Sequence, residues 1–246
     1  MKRISIPEDW PVDVWYGFKR HHFEFEGCKA WIVEPHHIAG DGRWSWVTQW
    51  AESYVERVGV PLLLSQGFYH VHIDVFQFRC SPKGVGIMGR FHEKLVSMGL
   101  SPKANLIGMS WGGLFSLRYA ETFPERVCGI YLDAPVCDAS ENTPASADRF
   151  EAIKEQYGLS GEELAVSPLN PINNVGVITG IPVMAVVGQA DQSVDVTTNF
   201  DVFEKRFLAA GGKLSVTRRE YWGHHPHGLD DPRPILDFHC GVREEE

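Results

Sequence analysis

Cysteine is sparse and badly placed for structural work in this chain of 246 residues. Cys28, Cys80, Cys128, Cys137 and Cys240 are odd in number, widely scattered, and form no C-x-x-C pair. That spacing excludes a disulfide framework and a cysteine-built zinc site. Cys128 lies in an apolar run and reads as a small buried hydrophobe, and none of the five sits in a setting that would activate a thiolate. Long hydrophobic runs are also missing. No stretch approaches the roughly 18 consecutive apolar residues of a membrane span, so no spanning helix is expected. A basic excess is missing too: 23 Lys and Arg against 32 Asp and Glu give a formal charge of −9. An anionic partner needs a basic face, which excludes nucleic acid or a membrane surface as the main partner. The start of the chain has two basic residues with no apolar segment behind them. The expectation is therefore a cytoplasmic protein, or a secreted or periplasmic one if an export leader has been removed. There is no internal repeat and no low-complexity segment beyond an acidic tail at 244–246, which reads as solvated.

What is present is a 43% hydrophobic composition, enough for one large core, and the expectation is a single domain over 1–246. Residues 1–27 mix aromatic and charged side chains in the manner of an edge hairpin, and residues 28–33 read as a strand. Residues 36–46 read as a loop rich in Gly, His and Trp. The spacing over 47–66 predicts one or two short helices interrupted near Gly59 and Pro61. Strand-like and helix-like segments then alternate: a strand at 68–75, a helix through Met88, Phe91, Leu95 and Met98 stopped by Gly99, a strand at 104–107 with a helix after it, and a strand at 127–132. Residues 137–180 change in composition toward Pro, Ser, Asn and Glu. They read as a cap insertion over the sheet, with one helix near 149–157. A strand at 181–187, a helix marked by Phe200, Phe203 and Phe207, and a strand opened by Leu214 and Val216 complete the pattern. This order predicts an α/β fold with a mostly parallel central sheet flanked by helices.

The stretch that carries chemistry is Gly108-Met109-Ser110-Trp111-Gly112, between a buried strand and a helix. G-x-S-x-G alone is a weak signal; the strand-turn-helix setting gives it weight. A tight turn there lifts the Ser110 hydroxyl clear of the backbone, and the helix N-terminus offers unpaired N–H groups, that of Trp111 included, to a developing oxyanion. A serine hydroxyl is a poor nucleophile at neutral pH and needs an imidazole, itself oriented by a carboxylate. Gly188-Gln189-Ala190-Asp191 and Trp222-Gly223-His224-His225-Pro226-His227 each follow a strand, so Ser110, Asp191 and His224 would share the carboxyl end of the sheet.

These three motifs, in the order Ser, Asp, His, resemble the α/β-hydrolase superfamily from about residue 28 onward. Within it the chain is similar to bacterial prolyl-oligopeptidase-like and carbohydrate-esterase members, through GRWSW, DAPVCD and GHHPH. The resemblance implies Ser110 as nucleophile, His224 as general base and then acid, and Asp191 as orienting carboxylate. Asp133 and Asp195 stand in reserve for the acid, and His225 for the base. It implies oxyanion donors at Trp111 and within 36–46, with Trp44 chosen there. Trp46 and His227 are expected to contact substrate, and Trp44, Trp46 and Trp111 to offer a platform for a sugar ring. The implied activity is that of a serine carboxylic-ester hydrolase acting through an acyl-enzyme on acetyl or methyl esters of carbohydrate. No cofactor and no metal enter that reading, the partner is a small-molecule or carbohydrate ester, and the oligomeric state is left open. Three alternatives remain at this point: a peptidase-type hydrolase on the same triad, a non-catalytic binding protein on a hydrolase scaffold, and a metal-dependent hydrolase using His70, His72 and Asp74, which alternate along one strand.

Overall fold

The computed structural model describes residues 4–242; the two N-terminal basic residues and the acidic tail at 244–246 lie outside them. Among the described residues, nine strands form one sheet. They are β1 (Val12–Trp15), β2 (Phe18–Phe25), β3 (Cys28–Val33), β4 (Trp44–Val47), β5 (Tyr69–Ile73), β6 (Ala104–Met109), β7 (Val127–Asp133), β8 (Val183–Gly188) and β9 (Leu214–Arg219). The spatial order is β1-β2-β3-β5-β4-β6-β7-β8-β9. β1, β2 and β3 form an antiparallel meander, and β3 joins β5 antiparallel. From β5 onward every pairing is parallel. Parallel strands need crossover connections, and helices supply them.

The helices fall on two faces because the strands alternate strictly. On β8, Val183, Ala185 and Val187 face one core, and Met184 and Val186 the other. The larger core packs α2 (Pro82–Met98), α3 (Trp111–Thr122), α4 (Ala147–Tyr157), α5 (Gly161–Val166) and α6 (Phe200–Ala209) against the sheet. The smaller core packs α1 (Val60–Ser65) and α7 (Arg233–Gly241) on the opposite side. Leu114, Phe115 and Leu117 are fully buried on α3, as are Phe203 and Phe207 on α6. Each such side chain stabilises the fold by about 1.5–3 kcal/mol relative to exposure.

Three sequence expectations change. Residues 48–59 are turns, and of this segment only Val60–Ser65 is helical: the left-handed Gly59 at φ 78° precedes its first residue, and Pro61 sits in its first turn, where its missing N–H breaks no intrahelical bond. The segment Trp44–Val47, expected to be loop as far as Trp46 and helical from Val47, is a strand in the middle of the sheet; all four of its residues are buried, so it lacks the polar–apolar alternation that marks a half-exposed strand. Finally, where one helix was expected, residues 137–180 contain α4, α5 and two short 3₁₀ turns; they send Phe150, Ile153, Leu164, Ile172 and Ile178 into the larger core beside α3 and α6.

Buried histidines make this fold sensitive to mild acid. Burial drives the His70 imidazole down to about 3, with the neighbouring His72 adding to it, and burial alone takes His239 to about 3. In the unfolded chain both protonate near pH 6.5. Below that pH the unfolded state binds more protons than the folded one, so stability falls as pH drops from about 6.5 toward 3, by on the order of 1 kcal/mol per pH unit for each histidine. Urea unfolding between pH 7 and 4 should show this slope, and His70→Gln should flatten it.

Candidate active site

The site begins with a backbone that glycine makes possible. β6 ends at Met109, and Ser110 turns sharply at φ 52°, ψ −120° before α3 starts at Trp111. Such a conformation costs a non-glycine residue about 1–3 kcal/mol and persists only where its surroundings hold it. Here the Ser110 N–H donates to the Asp133 carbonyl (2.9 Å), and the Ser110 carbonyl accepts from Gly113 N–H and Val136 N–H (both 2.9 Å). A Cβ at position 108 would lie 2.6 Å from both the Gly112 carbonyl oxygen and Ser116 Oγ, and one at 113 would lie 2.4 Å from Pro135 Cβ. Neither position admits a side chain.

The turn aims the Ser110 hydroxyl at an imidazole. Ser110 Oγ is 2.9 Å from His224 Nε2, and His224 Nδ1 is 2.7 Å from Asp191 Oδ2. The other Asp191 oxygen accepts from Ser193 N–H (2.8 Å) and Val194 N–H (2.9 Å). Burial pushes the Asp191 carboxyl up, but the hydrogen bond from His224 and those from the two backbone N–H groups outweigh it, and the net direction is down. The carboxylate is therefore charged at neutral pH, fixes the proton on His224 Nδ1, and leaves the Nε2 lone pair for the serine proton. The loops after β8 and β9 meet through Gly188, where a Cβ would lie 2.4 Å from the Trp222 carbonyl oxygen.

Asp133, held in reserve for the acid, takes a different partner. Its Oδ1 is 2.6 Å from His227 Nδ1, and its Oδ2 accepts from Gly228 N–H (2.8 Å) and from the Tyr131 hydroxyl (2.5 Å). Asp195 accepts from Thr197 and is not at the site. His225 is exposed and stacks on Tyr54, with ring centroids 5.7 Å apart. Ser110, His224, His225 and His227, with Trp50, Ser53 and Tyr54, line a cleft of about 270 Å³. No residue of 137–180 lines it.

Two expected site residues lie elsewhere. Trp44 stands one residue before the Ser45–Asn105 pairing, so it is level with the start of β6, and at about 3.3 Å per residue it lies about 20 Å from Ser110. Its indole donates to the Ser101 carbonyl instead. Trp46 is fully buried among Trp44, Phe91 and Tyr119 and offers no ring to a ligand. The reason is topological. β3 is antiparallel to β5, so the loop after it leaves at the end of the sheet opposite Ser110, where Gly42 and Ala39 bond Ser101 and Gly67. The loop that does reach the elbow follows β4: a Cβ on Gly112 would lie 3.4 Å from Gln49 N. Among the described residues, the N–H groups of Gln49, Trp50 and Trp111 donate to no protein acceptor. The signal for this loop was the buried WSWV strand ahead of it.

His70, His72 and Asp74 do not converge. His70 Nδ1 meets Ser45 Oγ (2.8 Å), His72 Nδ1 meets the Val47 carbonyl (2.9 Å), and Asp74 accepts from Phe76 N–H (3.1 Å).

Substitution at the contact between the acid and histidine loops should be read out by a serine-directed fluorophosphonate. Gly188→Ala is expected to slow labelling of Ser110 at least tenfold, by parting His224 from the hydroxyl. Gly176→Ala, where a Cβ meets nothing within 4 Å, should leave the labelling rate unchanged.

The family model described as alpha/beta hydrolase fold matches residues 42–161. No curated protein matches the sequence. Among solved structures, the chain is similar to an S-formylglutathione hydrolase from Agrobacterium tumefaciens (TM-score 0.68, 14% identity, 94% of this chain and 98% of that one). It is also similar to dipeptidyl peptidase 4 from Porphyromonas gingivalis (TM-score 0.64, 14% identity, 95% of this chain and 36% of that one). A third match is the acylaminoacyl peptidase from Pyrococcus horikoshii (TM-score 0.63, 13% identity, 84% of this chain and 37% of that one). The chain thus spans little more than a third of the length of either peptidase. Strand order, the strained serine turn and these matches agree: the chain is an α/β-hydrolase-fold protein.

Proposed function

We propose that this protein is a serine hydrolase that cleaves carboxylic esters through an acyl-enzyme on Ser110, with acetyl or methyl esters of carbohydrate as its substrates. The observation that carries the reading is the unbroken chain of hydrogen bonds from Ser110 Oγ through His224 to Asp191, opening on the cleft. Ser110 Oγ attacks the ester carbonyl while His224 Nε2 takes its proton, and Asp191 stabilises the imidazolium. The N–H of Trp111 and one from Gln49 or Trp50 hold the oxyanion, each contributing about 3–4 kcal/mol to lowering the barrier. His224 then protonates the departing alcohol, a water takes its place, and the acid is released.

The carbohydrate part of the proposal draws on a neighbouring cleft. It encloses about 310 Å³, shares Trp50 and Ser53 with the first, and is lined by Trp31, Gln49, Glu52, His72 and Asp74 among others. Aromatic faces beside polar groups suit a sugar ring, which is the leaving alcohol of an acetyl ester and the acyl part of a methyl ester, better than a plain alkyl chain. Gln49 Nε2 is buried there without a hydrogen-bond partner, a donor that a sugar hydroxyl would satisfy.

A screen of p-nitrophenyl acetate, acetylated oligosaccharides, methylated pectin fragments and acyl-peptides tests the substrate class. Ester turnover should fall at least about a thousandfold in Ser110→Ala; equal rates with and without the hydroxyl would end the proposal. Gln49→Leu retains the backbone N–H. It is expected to raise KM for acetylated oligosaccharides by up to about tenfold, the worth of one hydrogen bond, and to leave p-nitrophenyl acetate hydrolysis unchanged.

A further inference from the structure

Three imidazoles meet at one point of the cleft, and the proposed ester chemistry uses only one. One ligand-capable nitrogen from each of His224, His225 and His227 lies within 4.8 Å of the other two, and their rings contact pairwise with centroids 4.8–4.9 Å apart. Two of the three are also prepared on the far side. His224 Nδ1 is held by Asp191 and His227 Nδ1 by Asp133. A carboxylate on Nδ1 fixes the tautomer and leaves the Nε2 lone pair free, which is the arrangement found behind metal-bound histidines.

We propose that His224, His225 and His227 form a binding site for one divalent transition-metal ion, zinc above all, and that the bound ion switches off the serine chemistry. Three neutral imidazoles suit zinc, copper or nickel rather than calcium or magnesium. With metal–nitrogen distances of about 2.0–2.1 Å, ligand nitrogens in a tetrahedral shell lie about 3.4 Å apart, so the three rings close on an ion by moving little more than about an ångström. His225 is exposed, and sliding along its stack on Tyr54 would supply that movement. The two carboxylates behind the rings balance the charge of the ion. Arg57 and Arg219 donate to the carbonyls of His227 and Gly228, on the backbone side of the loop. The fourth position faces Ser110 and is open to water or to the serine oxygen. A metal on Nε2 of His224 occupies the lone pair that otherwise takes the Ser110 proton, so metal binding and nucleophile activation exclude each other. The inhibitory half of the proposal rests on the ester-hydrolase reading; the binding half does not.

Calorimetric titration of zinc chloride into chelator-treated full-length protein tests the binding half, with cobalt(II) absorption as a second readout. The expected result is one ion per chain in both the wild type and Ser110→Ala, with visible bands of low-symmetry cobalt. Affinity should drop at least tenfold in His225→Ala and further in His227→Asn. Should the second variant fail to fold, because it removes the partner of Asp133, the exposed His225 decides alone. Absence of binding, or binding that His225→Ala leaves unchanged, overturns the site. Where an ester substrate has been found, zinc should suppress turnover and a chelator restore it, with less suppression in His225→Ala. Zinc binding with unchanged or increased turnover would overturn the inhibitory half while leaving the site.

Discussion

The turn at Ser110 is the constraint around which the rest of the site is arranged. Its φ of 52° is unfavourable for serine, and three backbone hydrogen bonds, to the carbonyl of Asp133 and from Gly113 and Val136, keep it there. Those bonds need β6 and β7 in register and α3 pressed onto Pro135. That close approach forbids a side chain at 113. Sheet order, glycine placement and core packing thus converge on the direction in which one hydroxyl points.

Much of this could be read before any coordinates. The alternation of strands and helices from β5 to β9 and the stop at Gly99 each depend on residues close together in the chain, where period and turn chemistry are visible. For the same reason Ser110, Asp191 and His224, which meet in space, could be singled out: Ser110 and Asp191 sit just past buried strands and His224 in the loop after the half-exposed β9, and parallel strands bring such positions together. The β4 strand could not be read, since WSWV is short and buried throughout. Nor could the loop after it. Placing an oxyanion donor in 36–46 followed the resemblance, and the antiparallel pairing of β3 with β5, which sends that loop to the other end of the sheet, is a long-range fact that local sequence does not encode. Trp44 and Trp46 followed the same error, because a tryptophan near a glycine-rich loop looks alike whether it serves a ligand or a core. The pairing of Asp133 with His227 was hidden for a related reason, as the two are 94 positions apart.

The site is more symmetrical than a single Ser–His–Asp array requires. Two Asp–His pairs stand side by side, one ending on Ser110 and the other open to the cleft, with His225 between them and solvent. Their rings are in edge contact, so the orientation of each limits the others.

Asp133 gives this arrangement an unexpected rigidity. Its backbone oxygen holds the N–H of Ser110, while its carboxylate holds His227, Gly228 and Tyr131. One residue thereby fastens the Ser110 peptide to the loop that bears the imidazoles. Relocating the carboxylate that pairs with His224 from the β8 exit to the β7 exit, a rearrangement a protein engineer would find attractive on paper, would have to withdraw Asp133 from the histidine loop and loosen the very clamp that keeps hydroxyl and ring aligned.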